Sequence, residues 1–130
     1  MKIIIVDDSE SFREGLKYYL QKDHHNRVIG EAKDGSAFLQ LKNIHLADII
    51  LMDIQMPDLN GIQTAKKILW RMNNLKIIAI TMYEDKAYLR ELIEAGFKGC
   101  VIKSKLYKDL PIAMDLVSKG RLSFPEDIKL

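Results

Sequence analysis

Short β-branched apolar runs recur along the chain at residues 3–6, 28–32, 49–52, 77–81 and 100–102. Several are apolar at every position, where a half-exposed strand would alternate, so they predict strands covered on both faces. Longer stretches between them carry apolar residues at helical spacing. Phe12, Leu16, Tyr19 and Leu20 share one face, as do Phe38 and Leu41, then Ile62, Ala65, Ile68, Leu69 and Met72. Leu106, Leu110, Ala113, Met114 and Val117 repeat the pattern near the end. Residues 84–95 are less regular, because Tyr88, Leu89, Leu92 and Ile93 spread over more than one face. Breaks are marked by Ser9 as an N-cap, Asp34-Gly35 as a turn, Gly61 opening a helix, and Gly96 and Gly120 closing two. Pro111 is expected in the first turn of the last helix, where proline is best tolerated.

Five strand runs alternating with five helical patterns predict an α/β fold: a five-stranded parallel sheet with helices on both faces. Ligands of such sheets collect at the carboxyl ends of the strands. Those ends are polar here. The first run stops at Asp7-Asp8, the third at Asp53, the fourth at Thr81 and the fifth at Lys103. Taken singly, each has a plain explanation as a turn former, a cap or a solvated charge. Their convergence on one edge changes the weighting. Crowded carboxylates repel, so one of them holds its proton unless a cation joins them. Mg²⁺, which favours oxygen ligands, resolves the conflict, and Lys103 adds a fixed positive charge. That set suits phosphoryl transfer onto a carboxylate, with Thr81 donating to the attached group.

Composition adds bounds. The chain has 130 residues, enough for one domain with a buried core. Lys and Arg number 20 against 18 Asp and Glu, which gives no prior for nucleic acid or membrane partners. No basic run is longer than Lys66-Lys67. The single cysteine, Cys100, fits a reducing compartment, and no apolar run approaches a membrane span. Asp7-Asp8 interrupt the apolar start before it resembles a signal peptide, so a cytoplasmic protein is expected.

The segments IIIVDDSE, EAKDGSAFL, DIILMDIQMPDLNGI, IIAITMYED and EAGFKGCVIKS occur in the order and spacing of a known family. With them the chain resembles the receiver domain of bacterial two-component response regulators, CheY-like, and closest in style to the LuxR/NarL type. The resemblance runs from residue 2 to about 125 and implies a flavodoxin-like, doubly wound fold. It implies Asp53 as phosphoacceptor, and Asp8, Asp53 and the backbone carbonyl of Gln55 as ligands of Mg²⁺ (or Mn²⁺), with Asp7 in support through water. Thr81 and Lys103 would bind the phosphoryl oxygens. The donor would be a sensor histidine kinase or a histidine phosphotransfer protein. The module would be no enzyme beyond its own phosphorylation and dephosphorylation, and a homodimer is a possible state.

Two departures qualify that picture. Cys100 stands where the family often has the Tyr or Phe of an aromatic switch, and a packed, inert thiol is expected there; Tyr83 is one candidate for a substitute ring. Ser104 follows Lys103 where many receivers have proline, so no cis peptide is expected. Lys-Ser, with Gly120 to Pro125, resembles the subfamily that carries a C-terminal helix-turn-helix domain. Residues 1–120 are read as the receiver and 121–130 as a tail or the start of a linker, too short to reach DNA without a further domain. The chain would be a stand-alone receiver or a cut from a longer regulator. Met56-Pro57 is expected to shape the loop after Asp53, while His24, His25 and His45 have no metal partners nearby. Trp70 and Phe97 are expected to be packing residues rather than ligand platforms. Tyr88 and Leu89 are candidates for an output surface on the fourth helix, or for core.

Other classes stay open but weaker. An aspartyl-nucleophile phosphohydrolase would place its nucleophile after the first strand in a DxD arrangement, and Asp7-Asp8-Ser9 lacks that spacing. A phosphorylation-independent scaffold would keep the fold without the full residue set. A dinucleotide-binding module lacks its Gly-rich first turn.

Overall fold

The computed structural model describes residues 1–57, 59–82 and 86–125. Five strands, β1 (Lys2–Val6), β2 (Arg27–Ala32), β3 (Ile49–Asp53), β4 (Ile77–Thr81) and β5 (Gly99–Ile102), alternate with helices α1 (Glu10–Gln21), α2 (Gly35–Leu39), α3 (Gly61–Arg71), α4 (Lys86–Ala95) and α5 (Leu106–Ser118). All strand pairs are parallel, in the order β2-β1-β3-β4-β5. The three central strands are buried almost throughout, as their uninterrupted apolar runs require. Edge strand β2 leaves Arg27 and Glu31 in solvent.

Period-two alternation divides the sheet residues between two cores. Ile4, Val6, Ile50, Met52, Ala79 and Cys100 face the side covered by α2, α3 and α4. Ile3, Ile5, Leu51, Ile78, Ile80 and Val101 face α1 and α5. Phe97 is buried among the first set, as expected. Trp70 is not: its ring is 90% exposed. The reason lies in the helical period, because Ile62, Ala65 and Ile68 fix the inward face of α3 and position 70 falls outside it. Leu89 is 1% exposed and belongs to the core, and Tyr88 packs against it half-buried, so Leu89 offers nothing to an output surface.

Ser9 caps α1 as expected, accepting from the Phe12 amide. Asp34-Gly35, expected as a turn, instead opens α2: Gly35 is its first residue and Asp34 caps it by accepting from the Ala37 amide. Asn60 and Gln63 form a reciprocal capping box on α3. Gly96 and Gly120 take φ of +102° and +82° after their helices. Pro111 departs from expectation. A 3₁₀ turn at Lys103–Lys105 starts α5 early, so proline falls at its sixth residue rather than in its first turn. Proline cannot donate to the carbonyl four residues back. That carbonyl, of Tyr107, instead accepts from the Tyr19 hydroxyl at 3.0 Å.

After α5 the chain returns along β5. Ser123 bridges Gly99: its carbonyl accepts from Cys100 N at 2.9 Å and its amide donates to Lys98 O at 3.0 Å. Phe124 packs against the adjoining core, so residues up to Pro125 cover the free edge of the sheet.

Candidate functional site

The order β2-β1-β3 reverses direction at β1, which opens a crevice at the carboxyl ends of β1 and β3. Asp7 and Asp8 follow β1, Asp53 ends β3, Thr81 ends β4 and Lys103 follows β5. One carboxylate oxygen from each of Asp7, Asp8 and Asp53 lies within 4.8 Å of the others, with Asp7 and Asp53 buried and Asp8 exposed. Among the described residues this is the single cluster of potential metal-ligating side chains. His25 pairs instead with Asp23 in its turn, at 3.0 Å.

Lys103 ties the edge together. Its Nζ donates to Asp7 Oδ2 at 3.0 Å and stands 3.7 Å from Asp53 Oδ2. The other oxygen of Asp7 accepts from the Ser9 amide at 2.9 Å. Asp53 Oδ1 accepts from the Gln55 amide at 3.3 Å, which folds the start of the following loop under the carboxylate. Burial, then the charge of Asp7, pushes the Asp53 carboxyl up from 3.8 to about 6, against the opposing pull of Lys103. Burial thus outweighs the repulsion expected of crowded carboxylates in raising it.

Thr81 is fully buried at the end of β4, opposite Ile102 in the β4–β5 register. Cys100 is buried in the α2–α3–α4 core, and burial raises its thiol to about 12, so it is a packed and unreactive group at this site. Tyr83 lies outside the described residues. Met56 is buried under the loop after Asp53.

Gly61 has a role beyond opening a helix. A Cβ there would meet Asp53 O at 2.5 Å and Ile54 Cα at 2.9 Å, and Gly61 N donates to Ile54 O at 2.9 Å. The start of α3 is therefore packed directly on the Asp53 backbone.

Two neighbours of the site escaped the sequence reading. The Phe12 ring centre lies 4.3 Å from Lys103 Nζ, a cation–π contact that walls one side of the ammonium. Arg13 donates through Nη1 to the Asp7 carbonyl at 2.6 Å while pairing with Glu31 at 3.3 Å. Their signal was position: both lie in the first turn after Ser9, where a helix leaving β1 must pass the strand edge. By its helical spacing alone Phe12 reads as part of the core stripe.

The response regulator receiver domain family matches residues 3–114. Transcriptional regulatory protein YdfI of Bacillus subtilis (strain 168) is 35% identical over 127 residues, covering 98% of this chain and 59% of that protein. Uncharacterized transcriptional regulatory protein YxjL of the same organism is 34% identical over 124 residues, covering 95% and 57%. The chain thus spans little more than half the length of these relatives. Among solved structures, a LuxR-family two-component response regulator from Aurantimonas sp. SI85-9A1 superposes with a TM-score of 0.91 at 29% identity, covering 98% of this chain and 91% of that one. The isolated REC domain of RcsB from Salmonella enterica serovar Typhimurium, in the presence of phosphomimetic BeF3-, gives 0.85 at 29% identity, covering 98% and 95%.

Proposed function

The chain belongs to the response regulator receiver domain family of two-component systems, and we propose that it accepts a phosphoryl group on Asp53 and thereby switches a protein-interaction surface. One observation carries the reading: three carboxylates converge within 4.8 Å beside the Lys103 ammonium. A hard, all-oxygen donor set around a buried crevice fits Mg²⁺, or Mn²⁺ in its place. Asp8, Asp53 and the Gln55 carbonyl would hold the ion, with Asp7 in support, and when bound it supplies positive charge against the phosphoryl oxygens.

Asp53 acts as nucleophile. A carboxylate oxygen forms the new O–P bond as the P–N bond of a phosphohistidine on a sensor kinase or phosphotransfer protein breaks. The bonding pair leaves on the imidazole nitrogen, which takes up a proton. Lys103 stands 3.7 Å from Asp53 before reaction, so its charge needs no rearrangement to meet the incoming oxygens. Thr81, at the end of the neighbouring strand, donates its hydroxyl to the attached group. Water later cleaves the acyl phosphate, returning the carboxylate and inorganic phosphate.

The switch biases an equilibrium on the face of α4, β5 and α5. Cys100 is too small for an aromatic relay, so coupling runs through Thr81 and the β4–β5 pairing. Residues 1–120 form the receiver and 121–130 a tail or linker, whose first residues already lie on β5. Homodimer formation, and DNA contact through a further domain, belong to the same reading, as does a cytoplasmic site of action. No helix among the described residues is long and apolar enough to cross a membrane.

Trapping tests the assignment. After incubation with Mg²⁺ and acetyl phosphate, borohydride reduction converts an aspartyl phosphate to homoserine. Peptide mapping is expected to find homoserine at position 53 alone; its appearance at Asp7 or Asp8 contradicts the assignment.

A further inference from the structure

Trp70 stands near the C-terminal end of α3, at the opposite end of that helix from Gly61 and the carboxylate edge. At 90% it is the most exposed large apolar side chain among the described residues. With Leu39 of α2 and the side chains of Lys66, Lys67 and Arg71 it lines an open hollow of about 500 Å³. Trp70 and Leu39 supply apolar surface, and three cationic side chains of α3 line the hollow beside them.

Charge is distributed unevenly here. Residues 35–47 and 59–76 contain five Lys or Arg and not one carboxylate, in a chain whose totals of 20 and 18 nearly balance. Lys66, Lys67 and Arg71 form no ion pair among the described residues. An exposed indole gains nothing for folding, whereas Trp and Arg are the side chains most enriched at the centres of protein interfaces.

We propose that this hollow on α2 and α3 docks an acidic segment of a partner protein, one apolar side chain packing on Trp70 and Leu39 while flanking carboxylates meet Lys66, Lys67 and Arg71. Charge complementarity selects the partner's chemistry. A nucleic acid fits less well, because phosphates are met by cations spread along a track, and these three cations lie within two turns of one helix. The surface is remote from Asp53, so the inference goes beyond the phosphoacceptor reading and does not rest on it.

A random peptide library displayed on phage, selected against the full chain, tests this without presuming a partner. Enriched peptides are expected to place Asp or Glu around an aromatic or aliphatic residue. Synthetic copies should weaken at least about tenfold on Trp70→Ala and on the pair Lys66→Glu, Arg71→Glu, and should weaken with salt. All three positions are exposed, so melting temperatures are expected to stay unchanged. Several results overturn the proposal: no enriched peptide, peptides without acidic bias, or binding indifferent to Trp70→Ala. Tighter, Trp70-dependent binding of a single-stranded oligonucleotide would assign the surface to nucleic acid. Trp70-dependent dimers in sedimentation would assign it to a second copy of this chain.

Discussion

At the scale of single residues, Asp53, the proposed phosphoacceptor, carries a cost to the fold. Its carboxyl lies at about 6 in the folded chain against an ordinary 3.8, chiefly from burial and then from Asp7. The folded chain therefore holds this proton more tightly than the unfolded chain does. Stability from the protonated form is full below the ordinary value and is lost as pH rises through about 6. Asp53→Asn removes the charge. In metal-free buffer near pH 7.5 it is expected to raise the unfolding free energy by about 1–2 kcal/mol, a figure discounted for the solvent that reaches the crevice. Towards pH 4 the gain is expected to disappear, roughly where both states carry the proton. Urea denaturation at the two pH values measures this, and an equal gain at both contradicts the electrostatic account. Thr81 and Lys103 were legible as site residues because they end strands whose limits the apolar runs define. Phe12 was not, since a ring on a helix stripe reads as core until the lysine beneath it is placed.

Elements explain how the loop after Asp53 is held. The α3 N-terminus is fixed by the Asn60–Gln63 capping box and pressed onto the Asp53 backbone at Gly61. Gly61→Ala must push either α3 or β3, because the added carbon meets backbone atoms rather than a yielding side chain. The variant is expected to lose about 1–3 kcal/mol of stability, as for other overpacked sites, and to lower the rate of Asp53 phosphorylation as well. Thermal melts and an acetyl phosphate time course measure the two effects; wild-type values for both would show that the loop does not depend on this contact. Element existence and order were readable from periodicity, because two-sided burial leaves the central strands almost without polar positions and most helices with one stripe. Element starts were less so. Pro111 reads as a first-turn residue by local preference, and only the 3₁₀ turn after Lys103, with the Tyr19 hydroxyl satisfying the Tyr107 carbonyl, lets it sit deeper. Trp70 misled for a related reason: aromatic residues are usually buried, but the face of α3 had already been claimed by Ile62, Ala65 and Ile68.

The whole molecule carries two surfaces at opposite ends of α3. The carboxylate edge gathers groups from the carboxyl ends of β1, β3, β4 and β5. The Trp70 hollow lies at the other end of α3, built from two helices that carry no acidic residue. Residues 121–125 are tied to the sheet edge through the bond from Cys100 N to Ser123 O. Everything downstream depends on chemistry at Asp53, and intact mass reads that chemistry directly. The full chain, incubated with Mg²⁺ and acetyl phosphate, is expected to gain the mass of one phosphoryl group, to lose it with time, and to gain nothing as Asp53→Asn or with the metal chelated. No gain from acetyl phosphate or from a phosphorylated kinase, or a gain that survives Asp53→Asn, would contradict the account.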